Sequence, residues 1–250
     1  MKAATHQLQS NSSLAEDPQF GELYFTLRSR EKRIYTDEEV SLLPFTNKTH
    51  RYHREWGLRN FSSQRLLRFL KKKKKPMDVL EIGCGNGWLS AQMAKLLGTS
   101  VTGWDVHQPE LDQAKRVFGS ISNLYFEYHN FQSEETGDEK YDLIVFAASI
   151  QYFSSLQVAI NKTMKLLKAG GEIHLIDTHL YRAEELEQAR LRTENYFRSI
   201  EMEAMKHFYY QHSLKDLDGF NYSILYDPLS LVNRLLKRGP FYWICIKNKI

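Results

Sequence analysis

The sequence predicts a doubly wound α/β fold: a seven-stranded, mostly parallel sheet with helices on both faces. Three observations carry this expectation. From residue 77 onward, strand-like apolar runs alternate with helix-like segments, the order that builds parallel strands joined by crossover helices. The run Tyr141-Asp142-Leu143-Ile144-Val145-Phe146-Ala147-Ala148-Ser149 is almost continuously apolar, as a strand buried on both faces should be. The first strand, Val79-Leu80-Glu81-Ile82, runs into Gly83-Cys84-Gly85-Asn86-Gly87, with glycine at alternate positions, before a helix-like segment from Trp88 to Leu97.

The glycine loop narrows the ligand. Glycine has no Cβ and tolerates positive φ, so a ligand can lie against bare backbone at such a turn. The dinucleotide fingerprint G-x-G-x-x-G is met at Gly83 and Gly85, but its third glycine, which allows close helix–strand packing, is replaced by Trp88. With Glu81 two residues before the first glycine, the stretch reads acidic-x-Gly-x-Gly-x-Gly. It resembles the first motif of the class I S-adenosylmethionine-dependent methyltransferases. The resemblance implies that Glu81, Gly83, Cys84, Gly85 and Gly87 form a loop that holds S-adenosyl-L-methionine.

The second strand, Ser100 to Val106, places Asp105 at its end, about 20 residues beyond the first glycine. A carboxylate there can accept two hydrogen bonds from a ribose diol, which suits the adenosine of either cofactor. The resemblance implies that Val106 and His107 cover one face of the adenine. The third strand, Leu124 to Asn130, ends beside Phe131. In the family an Asp or Asn near this point bonds the adenine amino group with an apolar neighbour beside the ring, which assigns those roles to Asn130 and Phe131. Asn130 also reads as a loop residue that satisfies its own backbone.

After the fourth strand, a helix from about Ser155 to Lys168 presents Val158, Ile160, Met164, Leu166 and Leu167 and should stop at Gly170-Gly171. A fifth strand, Glu172 to Asp177, follows. This Tyr-Asp-Leu-Ile, helix, Leu-Leu-Lys-x-Gly-Gly order again resembles the class I methyltransferases, so the likeness covers roughly residues 60–180. A long helix is expected from Arg182 to about Met205, where good helix formers are dense. Phe220–Tyr226 and Phe241–Lys247 read as strands around a helix over Pro228–Lys237. The resemblance implies the strand order 3-2-1-4-5-7-6, with the last strand antiparallel.

The domain reading follows from these elements. Residues 1–18 are polar and read as a disordered tail. Residues 19–76 read as a helical, basic segment packed on the core, and 77–250 as the cofactor-binding domain, with a cap over 182–222. Tyr196 to Tyr222 is rich in Tyr, Phe and His and fits either a substrate cap or aromatic packing beneath a long loop. A chain of 250 residues with 42% hydrophobic content can bury one large core. Its two cysteines, Cys84 and Cys245, suit a reducing compartment. There is neither a secretory signal nor a run of roughly 18 apolar residues. A cytoplasmic protein with no membrane partner is the expectation.

Charge is uneven. Residues 1–76 hold 16 Lys/Arg against 8 Asp/Glu, a net of +8, within a whole-chain +4. Leu66, Leu67, Phe69 and Leu70 among these basics suggest an amphipathic helix whose Lys71–Lys75 run sits at its C-terminus, before Pro76. The same residues, with His50, Tyr52, His53 and Trp56 interleaved, also fit a phosphate-binding face for nucleic acid.

Methyl transfer from a sulfonium needs positioning above all, and a base only where the acceptor must lose a proton. Ligands of such sheets sit at the carboxyl ends of the strands. Gln151, Tyr152, Asp177 and His179 fall there, and His179, with Tyr152, is the candidate catalytic group. His207, His212, Tyr209, Tyr210, His50 and His53 are further candidates. The Asp/Asn-Pro-Pro-aromatic turn of amino-base methylation is replaced by Ala147-Ala148-Ser149-Ile150-Gln151-Tyr152. Of the carboxylates that hold magnesium in catechol-type enzymes only Asp177 has a counterpart, so no metal is expected. The reading is metal-independent O- or N-methylation of a small molecule. An RNA or protein methyltransferase using the basic face, and a non-catalytic nucleoside-binding module, are the other classes.

Overall fold

The computed structural model describes residues 18–248, apart from 136, 139 and 237. Three helices come first: α1 (Pro18–Arg30), α2 (Asp37–Leu42) and α3 (His53–Lys73). Then β1 (Met77–Ile82), α4 (Trp88–Ala94), β2 (Thr99–Asp105), α5 (Gln108–Phe118) and β3 (Leu124–Tyr128) alternate. They are followed by β4 (Tyr141–Ala147), α6 (Leu156–Met164) and β5 (Leu167–Ile176). A two-residue strand β6 (Leu180–Tyr181), helix α7 (Leu186–Ser199) and a second short strand β7 (His212–Ser213) precede β8 (Asn221–Tyr226), α8 (Leu231–Leu235) and β9 (Trp243–Lys247).

The main sheet has the order β3-β2-β1-β4-β5-β9-β8, with β6 and β7 paired separately. Strands β1 to β5 are parallel, and β9 runs antiparallel to both β5 and β8. This is the expected order, with β8 and β9 as the sixth and seventh strands. The alternation of side chains across the sheet sorts the core. Val79, Leu143 and Val145 face one side, with Leu66 and Leu70 of α3, Leu89 and Met93 of α4, and Leu111 and Ala114 of α5. Leu80, Ile82, Ile144 and Phe146 face the other, with Leu156 and Ile160 of α6. Each such side chain, fully buried, stabilises the fold by about 1.5–3 kcal/mol before entropy.

Helix α3 buries Trp56, Ser63, Leu66 and Leu70 along one stripe and turns its lysines outward in the last turn. Lys74 in the left-handed region ends it before β1. The expected tail over 1–18 lies outside the described residues up to 17, and Pro18 opens α1.

Several boundaries differ from the expectation. The helix after β4 stops at Met164, and Gly170-Gly171 lie inside β5 rather than capping the helix. The cause is sheet pairing: Tyr141 donates to the Leu166 carbonyl at 2.8 Å and pairs with Leu167, which draws these leucines into the sheet. A register shift between Tyr141 and Leu143 absorbs the extra residues, with Gly170 at φ +72. The segment after Trp88 is helical only to Ala94, and that over 228–237 only from Leu231 to Leu235.

The long helix expected over 182–205 ends at Ser199. Its C-terminus is a Schellman motif: Met202 donates to the Phe197 carbonyl at 2.8 Å and Glu201 to that of Arg198 at 3.1 Å. Met202 and Phe197 share an apolar cluster with Leu27, Met205 and Phe208. Tertiary packing of Met202 therefore overrides helix propensity. Glu201 itself is left at φ +54, a conformation glycine adopts without strain. Its carboxylate is 87% exposed and its ion pair with Arg30 counts for little. Glu201→Gly should accordingly stabilise the protein by about 1 kcal/mol in urea unfolding. An unchanged or lowered midpoint would show that the turn is not strained.

Candidate functional site

The loop between β1 and α4 is shaped by its three glycines. Gly83, Gly85 and Gly87 have φ of +76, +52 and +75. A Cβ on Gly83 would lie 2.5 Å from the Cβ of Ser149, and one on Gly87 would lie 2.4 Å from Cζ of Phe126. Both positions therefore exclude side chains by packing as well as by φ. Gly83 and Cys84 donate their N–H groups to the Trp104 carbonyl at 2.8 and 3.1 Å. The Cys84 thiol is buried against Gly103, and burial pushes it well above its ordinary pKa. Its backbone shapes the loop and its sulfur is inert.

Glu81 is buried beneath this loop and accepts a hydrogen bond from Ser90. Burial pushes its carboxyl up to about 8, so it is largely protonated at neutral pH. At the end of β2, Asp105 accepts from the Gly85 N–H at 2.7 Å through Oδ2 and from the His107 N–H at 2.8 Å through Oδ1. Burial and the neighbouring Glu110 push it up to about 6, while the two N–H bonds pull the other way.

A cavity opens directly above these groups. Asp105, Val106 and His107 line one side, and Asn130 and Phe131 the other. Asn130 Oδ1 accepts from the N–H groups of Gln132 and Ser133, both at 3.2 Å, so the backbone-satisfying role is present in the structure. Phe131 is held in an aromatic cluster with Trp104, Phe146 and Phe153. The roof comes from distant segments: Phe20 and Tyr24 of α1, and Phe208 beyond α7. Phe20 lies 5.4 Å from Phe208 and 5.9 Å from Tyr152, ring centre to ring centre. Phe208 falls in the aromatic-rich 196–222 segment read as a cap, whereas no local pattern announced Phe20 and Tyr24.

A second chamber adjoins the first and shares Tyr24, Gly83, Gly85, Ala148 and Tyr152 with it. Its walls include Arg28, Arg33, Glu55, Arg59, Gln151 and Tyr209. Arg33 grips Glu55 with two bonds of 2.9 and 2.5 Å, and Arg59 reaches the same carboxylate at 3.1 Å. These arginines hold Glu55 down to about 2 despite its burial. Arg28 is less well satisfied. It meets Glu110 only at 3.5 Å, and its buried Nε has no partner among the described residues. Buried polar groups are normally bonded, so a ligand atom is expected beside it.

Tyr152 stands where the two cavities meet, its ring edge-on to those of Tyr24 and Tyr209. Burial pushes its phenol up to about 12, so it acts as a neutral hydrogen-bonding group. His179 is brought to neither cavity. It is exposed, stacked on Tyr181 and edge-on to Phe241 at 4.7 Å. The chain turns at Asp177, φ +57; Thr178 still donates to Gln151 of the chamber wall at 3.1 Å, while His179 is left exposed. Asp177 is buried, accepts from Ser62, and is pushed up to about 6 by that burial. Among the further candidates, Tyr209 alone lines the chamber; His212 is buried with Nε2 3.1 Å from the Ile150 carbonyl.

Among the described residues, Glu172, His174 and Cys245 alone are grouped closely enough to hold a metal. They lie across β5 and β9, outside both cavities. Trp243 donates to His174 Nδ1 at 2.9 Å, which leaves the ring proton on Nε2 facing Glu172, and Lys73 pairs with that carboxylate at 2.6 Å. Glu172 and His174 are thus engaged in a hydrogen-bonded chain that runs from Trp243 to Lys73.

Comparisons with known proteins bear on the family and the fold. A family model described as a methyltransferase domain matches residues 50–224. A ubiquinone biosynthesis O-methyltransferase of Bartonella tribocorum is 34% identical over 97 residues, which cover 38% of each chain. A malonyl-[acyl-carrier protein] O-methyltransferase of Acetivibrio thermocellus is 24% identical over 169 residues, 64% of this chain and 59% of that one. The chain thus spans 38% and 59% of the length of these two relatives. In fold, magnesium protoporphyrin IX methyltransferase from Synechocystis PCC 6803, solved with bound SAH, superposes with a TM-score of 0.59 at 15% identity, covering 92% of this chain and 98% of that one.

The state of Asp105 sets a pH dependence. A ribose diol placed at Asp105 would donate to the ionised carboxylate, and with its pKa pushed up to about 6 that form predominates only above that pH. Nucleoside affinity should therefore be level near neutrality and fall as pH drops through about 6, by up to about tenfold per unit. Titration calorimetry across that range checks this, and a flat profile would remove Asp105 from ligand contact.

Proposed function

The chain belongs to the family of methyltransferase domains, and on that premise we propose that it moves a methyl group from S-adenosylmethionine to an oxygen or nitrogen of a small molecule, without a metal. The observation that carries this reading is the pair of joined cavities, with Tyr152 at their junction.

The residues fit the cofactor. Asp105 would hold the ribose diol, Val106 and Phe131 would flank the adenine, and Asn130 would close the cavity at the ring's edge. The bare backbone of Gly83 and Gly85 would carry the methionine end, and the incompletely bonded Arg28 would meet its carboxylate. Glu81, largely protonated beneath the loop, would support it without adding a buried charge. Bound there, S-adenosylmethionine supplies a methyl already activated on a sulfonium.

The acceptor would occupy the second chamber, between α3, Gln151, Tyr152 and Tyr209. Tyr152 orients it by hydrogen bonding, and the aromatic walls exclude water, so positioning and desolvation supply the acceleration. Glu55, held ionised by two arginines, fixes Arg33 and Arg59 as rigid walls. Residues 182–222 act as the cap through Phe208 and Tyr209, and 19–76 closes the other side through α1 and α3. The two buried, unpaired cysteines support a cytoplasmic setting. No described helix is long and apolar enough to cross a membrane.

The macromolecular alternative fits less well. Arg33, Arg59, Lys73 and Lys75 are engaged with carboxylates. The exposed Lys71, Lys72 and Lys74 lie at the far end of α3, about 20 Å along the helix from the chamber wall at Glu55 and Arg59.

Calorimetry with S-adenosylmethionine and S-adenosylhomocysteine, with NAD as control, tests the cofactor. Release of S-adenosylhomocysteine on adding phenolic and amine acceptors tests the transfer. Both cofactor forms should bind, and Asp105→Ala should weaken them by at least about tenfold. Tyr152→Phe should lower kcat about tenfold with cofactor affinity kept, and His179→Ala should change neither. Binding of neither form by the unaltered protein would overturn the reading.

A further inference from the structure

The connection between β8 and β9 exposes an unusual amount of apolar surface. Leu231 is 76% exposed and Leu235 82%, with Val232, Leu236, Leu229 and the strand residue Ile224 also open. Scattered exposed leucines need no explanation, but a contiguous run of this kind marks an interaction surface. Among the described residues nothing covers it: none of Leu229 to Leu236 is buried, and none belongs to the core clusters.

Its surroundings are basic. Residues 228–239 contain Arg234, Lys237 and Arg238 and no acid. Asp227 precedes them, with its carboxylate occupied by the Leu229 N–H at 2.8 Å. Arg65 of α3 feels the positive fields of both Arg68 and Arg238, which places the three cations together. Among the described residues, neither Arg68, Arg234 nor Arg238 has a carboxylate partner; Arg68 bonds the Gln64 carbonyl and Arg238 the Asn233 amide.

The location matters as much as the composition. β9 runs antiparallel to β5, so the chain before Trp243 lies at the carboxyl edge of the parallel strands, where the glycine loop also lies. The space beside Gly239 is bounded by Leu58 and Phe61 of α3, and the chamber by Glu55, Trp56 and Arg59 of the same half of that helix. The end of the β8–β9 connection, three residues past the apolar segment, therefore lies beside the same half of α3 as the chamber, on its other flank.

We propose that residues 229–236 dock on an anionic lipid surface, with Leu231 and Leu235 entering the headgroup boundary and Arg68, Arg234 and Arg238 meeting the phosphates. Apolar side chains flanked by cations are the two signals that reversible surface binding requires, and neither suffices alone. Charge chooses this occupant over a second copy of the chain. A symmetric pair through this face would bring two basic rims together. The sequence suggested no membrane partner because it lacks a span, but surface docking needs only this short segment. Docked in this way, the chamber would face acceptors drawn from or released near the lipid phase.

The test is flotation of the full chain with phosphatidylcholine vesicles, with and without phosphatidylglycerol. Binding is expected only where the anionic lipid is present, and should weaken as salt rises. Leu231→Ser with Leu235→Ser, and separately Arg234→Glu with Arg238→Glu, should each lower vesicle binding by at least about tenfold. Thermal unfolding and S-adenosylmethionine affinity should stay unchanged in both, which separates this outcome from misfolding and from failure of the cofactor assignment. Absence of flotation by the unaltered protein, or flotation that neither pair affects, would overturn the proposal. So would a dimer in sedimentation equilibrium that the leucine pair dissociates, since it would give the surface to a second copy.

Discussion

Three backbone N–H groups of the glycine loop are held by two adjacent residues at the end of β2. The Trp104 carbonyl takes those of Gly83 and Cys84, and the Asp105 carboxylate takes that of Gly85. This coupling joins the first two strands at the floor of the cavity. It also explains why Asp105 is presented rigidly: its second oxygen is tied to the His107 N–H, so the carboxylate cannot rotate away. The glycines permit the path, and β2 fixes it. The rest of the site is built outward from that junction, since Ser149 packs on Gly83 and Phe126 on Gly87.

The surrounding electrostatics share one logic. Groups beneath and beside the loop, Glu81 and Asp105, are raised by burial, while Glu55, half-buried in the chamber wall, is lowered by two arginines. Opposite shifts within one site come from the difference between an unpaired and a paired carboxylate in a low dielectric. The paired group is structural, because breaking it would strand a buried charge. The unpaired ones can respond to a bound diol or amine. Helices α1 and α3 thus do more than cover the sheet; they carry fixed charges that shape the second chamber.

Much of the scaffold was legible in the sequence, for reasons seen in particular residues. Val79, Leu80 and Ile82 alternate across the sheet, and the Leu143–Phe146 run fills both faces of β4, so their periodicity revealed strands directly. Helix ends were less legible. Gly170-Gly171 resembled a helix stop but entered β5, because Tyr141 on another strand bonds Leu166. The helix through residue 199 ended without a glycine, because Met202 found a place beside Phe197 and Leu27. Among the site residues, Asp105, Val106, Asn130 and Phe131 follow strand ends and were locatable by position. His179 also follows a strand end, yet the left-handed turn at Asp177 takes it to Phe241 instead.

The sequence by itself determined the strand succession, the glycine loop and the carboxylate that anchors it. These depend on side-chain alternation and on φ, which are properties of neighbouring residues. Only the tertiary structure decided that Phe20, Tyr24 and Phe208 roof one cavity, that Arg33 and Arg59 share Glu55, and that Tyr152 rather than His179 stands between the two chambers. It also left Leu231 and Leu235 facing outward. Each of these joins segments far apart in the chain, or leaves a segment unjoined. Their positions are set by which surfaces the completed core can still bury, a quantity that no local window of sequence contains.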